Sequence, residues 1–222
     1  MSETSKLSQE LIDQFLNYDT AAVSDAMDRL GLKGGLYGIH AVVPGTKMCG
    51  QAFTVHYVPC GIKKDNVGDF IDDVEPGQVV VIDNGGRQDC TVWGDIMSLY
   101  ATQHKIAGTV IDGVCRDVHT IRELNYPIFT KSTYMVTGKD RVYVDHVNVP
   151  VNVSNVQILP GDLILADDSG AVVIPQSRAQ DVLDVTQEIE QKEEAIRQRV
   201  LAGSKLKDAR RELGYHSLQT RR

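Results

Sequence analysis

Apolar residues in the first thirty positions recur at helical spacing. In SQELIDQFLNYDTAAVSDAMDRLGL, Leu11, Phe15 and Leu16 mark one stripe and Val23, Met27 and Leu30 a second, with Gly31 as the stop. After a glycine-rich connector the period changes. QAFTVHYV, EPGQVVVID, AGTVIDG and PGDLILAD are short β-branched or aliphatic runs bounded by Gly, Pro or Asp, and they predict strands. Between the second and third of these runs, VWGDIMSLYATQHKI places Trp93, Ile96, Leu99 and Tyr100 at helical spacing. The strand, helix, strand order from Val79 to Ile111 predicts a right-handed crossover within a parallel sheet covered on both faces. From Tyr134 to Pro175, alternating apolar residues broken by Pro-Gly-Asp and Asp-Ser-Gly predict antiparallel strands or a small barrel. The chain then turns to charged helix, with Val182, Val185, Ile189, Glu193 and Ile196 along one stripe and Gly203 as its stop. A short helix in LKDARRELG precedes a polar tail.

Together these elements predict a single α/β unit, with N-terminal helices in 1–35, an α/β core in 36–175 and a C-terminal helical extension in 176–222. Of the 222 residues 42% are hydrophobic, enough to bury a substantial core. A net charge of -7 with scattered Lys and Arg argues against a nucleic-acid surface, which needs clustered cations to neutralise phosphates. No apolar run approaches the roughly twenty residues of a membrane-spanning helix. Cys49, Cys60, Cys90 and Cys115 stand at no metal-ligand spacing, and the Met-Ser-Glu-Thr start lacks a basic-then-apolar signal pattern. The expectation is a reduced, cytoplasmic protein.

The candidate chemistry lies at two loops. IDGVCRDV puts Arg116 and Asp117 at the carboxyl end of an apolar strand, where open parallel sheets bind ligands. GGRQDCTVWGD puts Asp95 after a glycine at the start of the crossover helix, where free amides and the helix dipole favour an anion. A solvated turn pair accounts equally for Arg116-Asp117, and a helix-start residue for Asp95. Taken together they describe a site for an α-keto acid. Arg116 can hold a carboxylate or enolate oxygen, Asp117 can ligate a hard divalent cation, and the amides of Gly94, Asp95, Ile96 and Met97 can hold the substrate carboxylate. His40, His56, His104 and His119 share no spacing and read as structural or surface residues. Cys115 lacks a histidine base nearer than His119. Gly85-Gly86 lacks the third glycine of a dinucleotide fingerprint.

GGRQDCTVWGD, TVIDGVCRDV, and NVPV with PGDLILADDSGAVVIP, taken in order, resemble the metal-dependent 4-hydroxy-4-methyl-2-oxoglutarate / 4-carboxy-4-hydroxy-2-oxoadipate aldolases, which share a fold with the regulator of ribonuclease activity A. The resemblance runs from DTAAVSDAMDRLG to DARRELGY. It implies a layered α/β sandwich with a swivelling β/β/α-type central domain, assembled as homotrimers or homohexamers with active sites between subunits. It implies that Asp117 ligates Mg²⁺ or Mn²⁺, that Arg116 stabilises the pyruvate enolate, and that Asp95, twenty-one residues before Arg116, protonates the enolate carbon. Met97 matches the position whose amide meets pyruvate. Glu193 aligns with a C-terminal-helix glutamate that reaches a neighbouring subunit's site, with Glu190 and Glu194 as close alternatives. The implied activity is cleavage of 4-hydroxy-2-oxo acids to pyruvate and a second oxo acid, accompanied by oxaloacetate decarboxylation. The chain departs from the family pattern at Ser154-Asn155, where a glycine pair is usual, and at Ile96-Met97, where many relatives carry leucine. A non-catalytic regulator that binds a ribonuclease or helicase is the alternative, disfavoured by the long C-terminal extension. A scaffolding oligomer is a third, against which Asp95, Arg116 and Asp117 weigh. A methyltransferase has no glycine-rich cofactor loop here to support it.

Overall fold

The computed structural model describes residues 6–215, so the Met-Ser-Glu-Thr start and the polar tail from His216 lie outside the described residues. Two helices come first, α1 (Gln9–Phe15) and α2 (Thr20–Arg29), then β1 (His40–Ala41), β2 (Met48–Pro59) and β3 (Val79–Asp83). The crossover helix α3 (Asp95–Gln103) leads to β4 (Gly108–Cys115), α4 (Val118–Glu123), β5 (Ile128–Thr133) and β6 (Val142–Val147). Two hairpins follow, β7 (Val151–Val153) with β8 (Val156–Ile158) and β9 (Leu163–Asp167) with β10 (Gly170–Ile174). Helices α5 (Ala179–Leu201) and α6 (Leu206–Glu212) end the described chain.

The main sheet runs β1-β5-β4-β3-β2-β9-β10, and β2 also pairs with β6. Strands β2, β3, β4 and β5 run parallel to one another, as the strand, helix, strand order predicts, while β1 and β9 flank them antiparallel. The long β2 joins two pairings: Met48 to Gln51 pair antiparallel with β9, while Ala52 to His56 pair parallel with β3.

Period-two alternation sorts the side chains into layers. In β3, Val80 and Ile82 join Phe53, Val55 and Tyr57 of β2 in a core with Ala101 of α3 and Ile121 of α4. Val79 and Val81 point to a second core, which β7, β8 and the inward residues Ile164, Ala166, Ala171 and Val173 complete. The alternate residues of the last hairpin, Leu163, Leu165, Val172 and Ile174, face a third core under α1, α2 and α5. The result is helix, sheet, sheet, helix, the layered α/β sandwich expected, with N-terminal helices and a C-terminal helical extension.

Several local expectations shift. In α1 it is Ile12 with Phe15 that is buried, while Leu16 becomes the exposed C-cap. α2 ends as expected at Gly31, whose φ of +71° lets its amide reach the Asp28 carbonyl (3.0 Å) and the Leu32 amide the Met27 carbonyl (2.8 Å). The crossover helix begins at Asp95, so Trp93 precedes it, and Ile96 and Leu99 face outward at 78% and 49% exposure. The Ser154-Asn155 pair forms the β7–β8 turn with both residues at positive φ, the geometry that a glycine pair would otherwise supply. Strand β5 and helix α4 have no counterpart in the sequence reading.

Candidate functional site

β4 is buried along its whole length and ends directly in the Arg116-Asp117 loop. The Arg116 amide donates to the Trp93 carbonyl (3.1 Å), joining this loop to the one that opens α3. Asp117 adopts a left-handed conformation, φ 58° and ψ 37°, which Asp tolerates better than most residues and which clusters at functional sites. It stands at the start of α4 yet its carboxylate does not cap that helix. Asp117 Oδ2 instead accepts the Asp95 amide (3.2 Å) and lies 3.3 Å from Arg116 Nε.

Gly94 makes this meeting possible. A Cβ at Gly94 would stand 2.6 Å from Asp117 Oδ2 and 3.3 Å from Arg116 Nε, so a side chain there would push the Asp117 carboxylate from its present contacts. Asp95 Oδ1 accepts the Ile96 amide (2.8 Å). Two carboxylates thus satisfy two of the free amides in the first turn of α3. A substrate carboxylate bound at Gly94 to Met97 would share or displace those bonds. The loop is anchored by Trp93, buried and stacked on Tyr126 with centroids 6.0 Å apart. Its indole donates to Ser98 Oγ (2.9 Å), which donates to the Gly94 carbonyl (2.9 Å). Sequence reading spent Trp93 on helical periodicity; its only signal was its place beside Gly94-Asp95.

Gly94, Asp95, Ile96, Met97 and Arg116 line one open cleft of about 430 Å³. Asp117 adjoins the cleft through Gly94 and Arg116 without lining it. Further walls come from the connection after β2, with Asp65, Asn66 and Asp69, and from the connection after β5, with Thr137 and Lys139. None of these five was singled out from sequence, because polar residues in long connections carry no periodic signal.

Glu193 stands elsewhere. It lines a separate groove with Ile196, Arg197, Leu206 and Arg210, and neither it nor Glu190 nor Glu194 lines the Arg116 cleft. All three glutamates gather on Arg197, with Glu194 at 2.8 Å, Glu193 at 3.7 Å and Glu190 in closest contact. Burial first, then the neighbouring Glu190 and Asp25, push the Glu193 carboxyl above the usual range.

Among the described residues no three His, Cys, Asp or Glu side chains converge as a metal cage. Asp117 offers a single carboxylate whose Oδ2 is already held, which leaves Oδ1 for a cation. That donor set fits a largely hydrated Mg²⁺ or Mn²⁺, which binds through one or two carboxylates and keeps several waters. It does not fit tetrahedral zinc. Burial pushes the Cys115 thiol up to about 12, so it holds no thiolate at neutral pH. Beneath the loops a buried ion pair ties β4 to β5: Lys131 Nζ lies 2.6 Å from Asp112 Oδ1, with the two side chains 25% and 6% exposed.

A layered α/β sandwich with an Arg-Asp loop at the end of a buried parallel strand defines the class. Residues 20–173 match the RraA-like family model, described as Aldolase/RraA, and the chain belongs to that family. It is 42% identical over 208 residues to Protein DlpA of Legionella pneumophila, covering 92% of this chain but 34% of that protein, so it spans about a third of that relative's length. It is 35% identical over 201 residues to a Halalkalibacterium halodurans protein named "Putative 4-hydroxy-4-methyl-2-oxoglutarate aldolase", covering 87% of this chain and 91% of the other. Among solved structures, an uncharacterized protein from Pseudomonas syringae pv. tomato superposes with TM-score 0.87 at 44% identity, covering 93% and 99% of the two chains. Streptomyces coelicolor RraAS2, described as an unusual member of the RNase ES inhibitor RraA protein family, superposes with TM-score 0.80 at 32% identity, covering 86% and 96%.

Proposed function

We propose that this protein is a divalent-metal-dependent lyase that cleaves 4-hydroxy-2-oxo acids to pyruvate and a second oxo compound, with oxaloacetate decarboxylation as a side reaction. The observation that carries this reading is that Arg116 and the first turn of α3 line one cleft while Asp117, just behind it, contacts both. The name given to the Halalkalibacterium relative supports it and sets 4-hydroxy-4-methyl-2-oxoglutarate as the reference substrate.

Asp117 would hold Mg²⁺ or Mn²⁺ through Oδ1, and the cation when bound withdraws electrons from the 2-oxo acid. Arg116 binds the carboxylate and C2 oxygen with its planar fork. Removal of the C4 hydroxyl proton by a base lets the C3–C4 bond break, and its electron pair passes to the C2 oxygen as an enolate. The Arg116 guanidinium carries that charge. Asp95, at the cleft wall, delivers a proton through water to C3 and completes pyruvate. An acidic residue such as Glu193 would aid removal of the C4 hydroxyl proton; within one chain Glu193 lines a different groove, so it would have to come from a neighbouring copy of the chain. That requirement supports a homotrimer or homohexamer, as do Ile96 and Leu99 on the outer face of α3.

The likeness to RraAS2 keeps a second reading in view, a regulator that binds a ribonuclease. Among the described residues no helix is long and apolar enough to cross a membrane. Cys49, Cys60, Cys90 and Cys115 are all free, in keeping with the reducing cytoplasmic setting we propose. A lactate-dehydrogenase-coupled assay over 4-hydroxy-2-oxo acids and oxaloacetate, with and without chelator, tests the lyase. The expected result is pyruvate release that stops with chelator. Release untouched by chelator contradicts the metal; no release, with capture of a ribonuclease from lysate, favours the regulator.

A further inference from the structure

We propose that Trp93 and Ser98 are positioning residues for the lyase reaction, which between them hold the Arg116-Asp117 loop and the first turn of α3 in register. The inference rests on the lyase reading and adds to it two uncharged residues that touch none of the reacting atoms.

Trp93 reaches the two halves of the site through different atoms. Its carbonyl accepts the Arg116 amide (3.1 Å), and its indole donates to Ser98 Oγ in α3 (2.9 Å). Ser98 Oγ in turn donates to the Gly94 carbonyl (2.9 Å), which also takes the Ser98 amide (3.1 Å). That carbonyl shares one rigid peptide plane with the Asp95 N–H, so fixing the oxygen fixes the direction of the amide. The Asp95 amide is the one that meets Asp117 Oδ2 (3.2 Å). Gly94, without a Cβ, offers little resistance of its own to rotation of that plane. A helical serine commonly bonds back to the carbonyl four residues earlier, and that contact alone would say nothing about the site. Here the hydroxyl is held from its other side as well. Ser98 is fully buried, and the indole fixes which way its proton points. The indole is fixed in turn, because its ring is buried and stacked on Tyr126, whose hydroxyl pairs with Thr109 Oγ1 (2.8 Å).

The test measures exchange of pyruvate methyl protons in deuterium oxide with Mg²⁺, and oxalate affinity by calorimetry, in Ser98→Ala, Trp93→Phe and the double variant, all well below their melting temperatures. Ser98→Ala should slow exchange about tenfold and weaken oxalate severalfold, the scale of a small misplacement rather than of a lost charge. Trp93→Phe keeps an aromatic ring on Tyr126 and breaks the same contact from the other end, so it should lose exchange in the same direction, and either single variant that folds carries the test. The double variant should be no slower than the worse single one, because both act through one hydroxyl. Thr102→Ala removes a hydrogen bond to the Ser98 carbonyl (2.8 Å) from an exposed position on the same helix. It should leave exchange within about twofold of wild type, as exposed substitutions away from a site do. Near-normal exchange in Ser98→Ala or Trp93→Phe, losses that multiply in the double variant, or an equal loss in Thr102→Ala overturns this inference alone. Absence of exchange in the wild type overturns the lyase reading and this inference with it.

Discussion

At the scale of single residues the site is held by contacts that tolerate little substitution. Gly94→Ala would place a methyl 2.6 Å from Asp117 Oδ2, so the Asp117 carboxylate must turn away from the Asp95 amide and Arg116. Activity should fall by a hundredfold or more, on the scale of a misplaced catalytic group, while the melting temperature changes little. Steady-state kinetics alongside a thermal melt check this, and near-normal turnover in the variant contradicts the contact. Arg116→Lys keeps the charge but loses the planar fork, and turnover should drop about a hundredfold. The pair beneath the loops behaves differently. Lys131→Met strands the Asp112 carboxylate in a buried setting, which should cost about 3 kcal/mol, the lower end for a broken buried pair because Lys131 is partly exposed. Adding Asp112→Asn to the same chain should recover much of that loss in denaturant unfolding. No recovery would mean that the pair is not the source of the cost.

At the scale of elements, Glu193 makes the stability of α5 depend on pH. Burial, Glu190 and Asp25 raise the Glu193 carboxyl in the folded chain above its unfolded value, so between those two values the native state binds more protons than the unfolded one. Stability contributed by the protonated form is therefore present below the unfolded value and lost as pH rises through the folded one. Glu193→Gln should raise the melting temperature at pH 7 and change it little near pH 4. Melts of both proteins across that range decide it, and a variant less stable than wild type at pH 7 contradicts the sign. The elements themselves were legible where periodicity is strong. The strands at Val79 and Gly108 follow from continuous apolar runs bounded by Gly, Pro or Asp, the helix stops at Gly31 and Gly203 from capping, and the α5 stripe from helical periodicity. β5 escaped because IFTKST alternates poorly: its first three residues are buried and its last two exposed. α4 escaped because six residues are too few for a helical period. Asp95, Arg116 and Asp117 could be picked out because strand ends and helix starts can be found in sequence; Asp65, Asp69 and Lys139 could not, because tertiary folding alone brings their connections to the cleft.

At the scale of the whole molecule, the apolar outer face of α3 lies beside the cleft, and Glu193, which we propose assists the chemistry from a neighbouring copy, lies on α5 away from that cleft. The exposed α3 face and the proposed role of Glu193 both favour the proposed assembly of copies into a trimer or hexamer. Leu99→Arg should dissociate that assembly and lower activity together, measured by sedimentation at the assay concentration; a monomeric, fully active variant contradicts a shared site. The central claim is that this cleft makes and protonates a pyruvate enolate. Its most direct test is exchange of the pyruvate methyl protons in deuterium oxide, followed by NMR for wild type and Asp95→Asn, with oxalate binding measured on both. The account predicts exchange by the wild type, a loss of a hundredfold or more in Asp95→Asn, and similar oxalate affinity in the two proteins. Absence of exchange in the wild type, or unchanged exchange in Asp95→Asn, would contradict it.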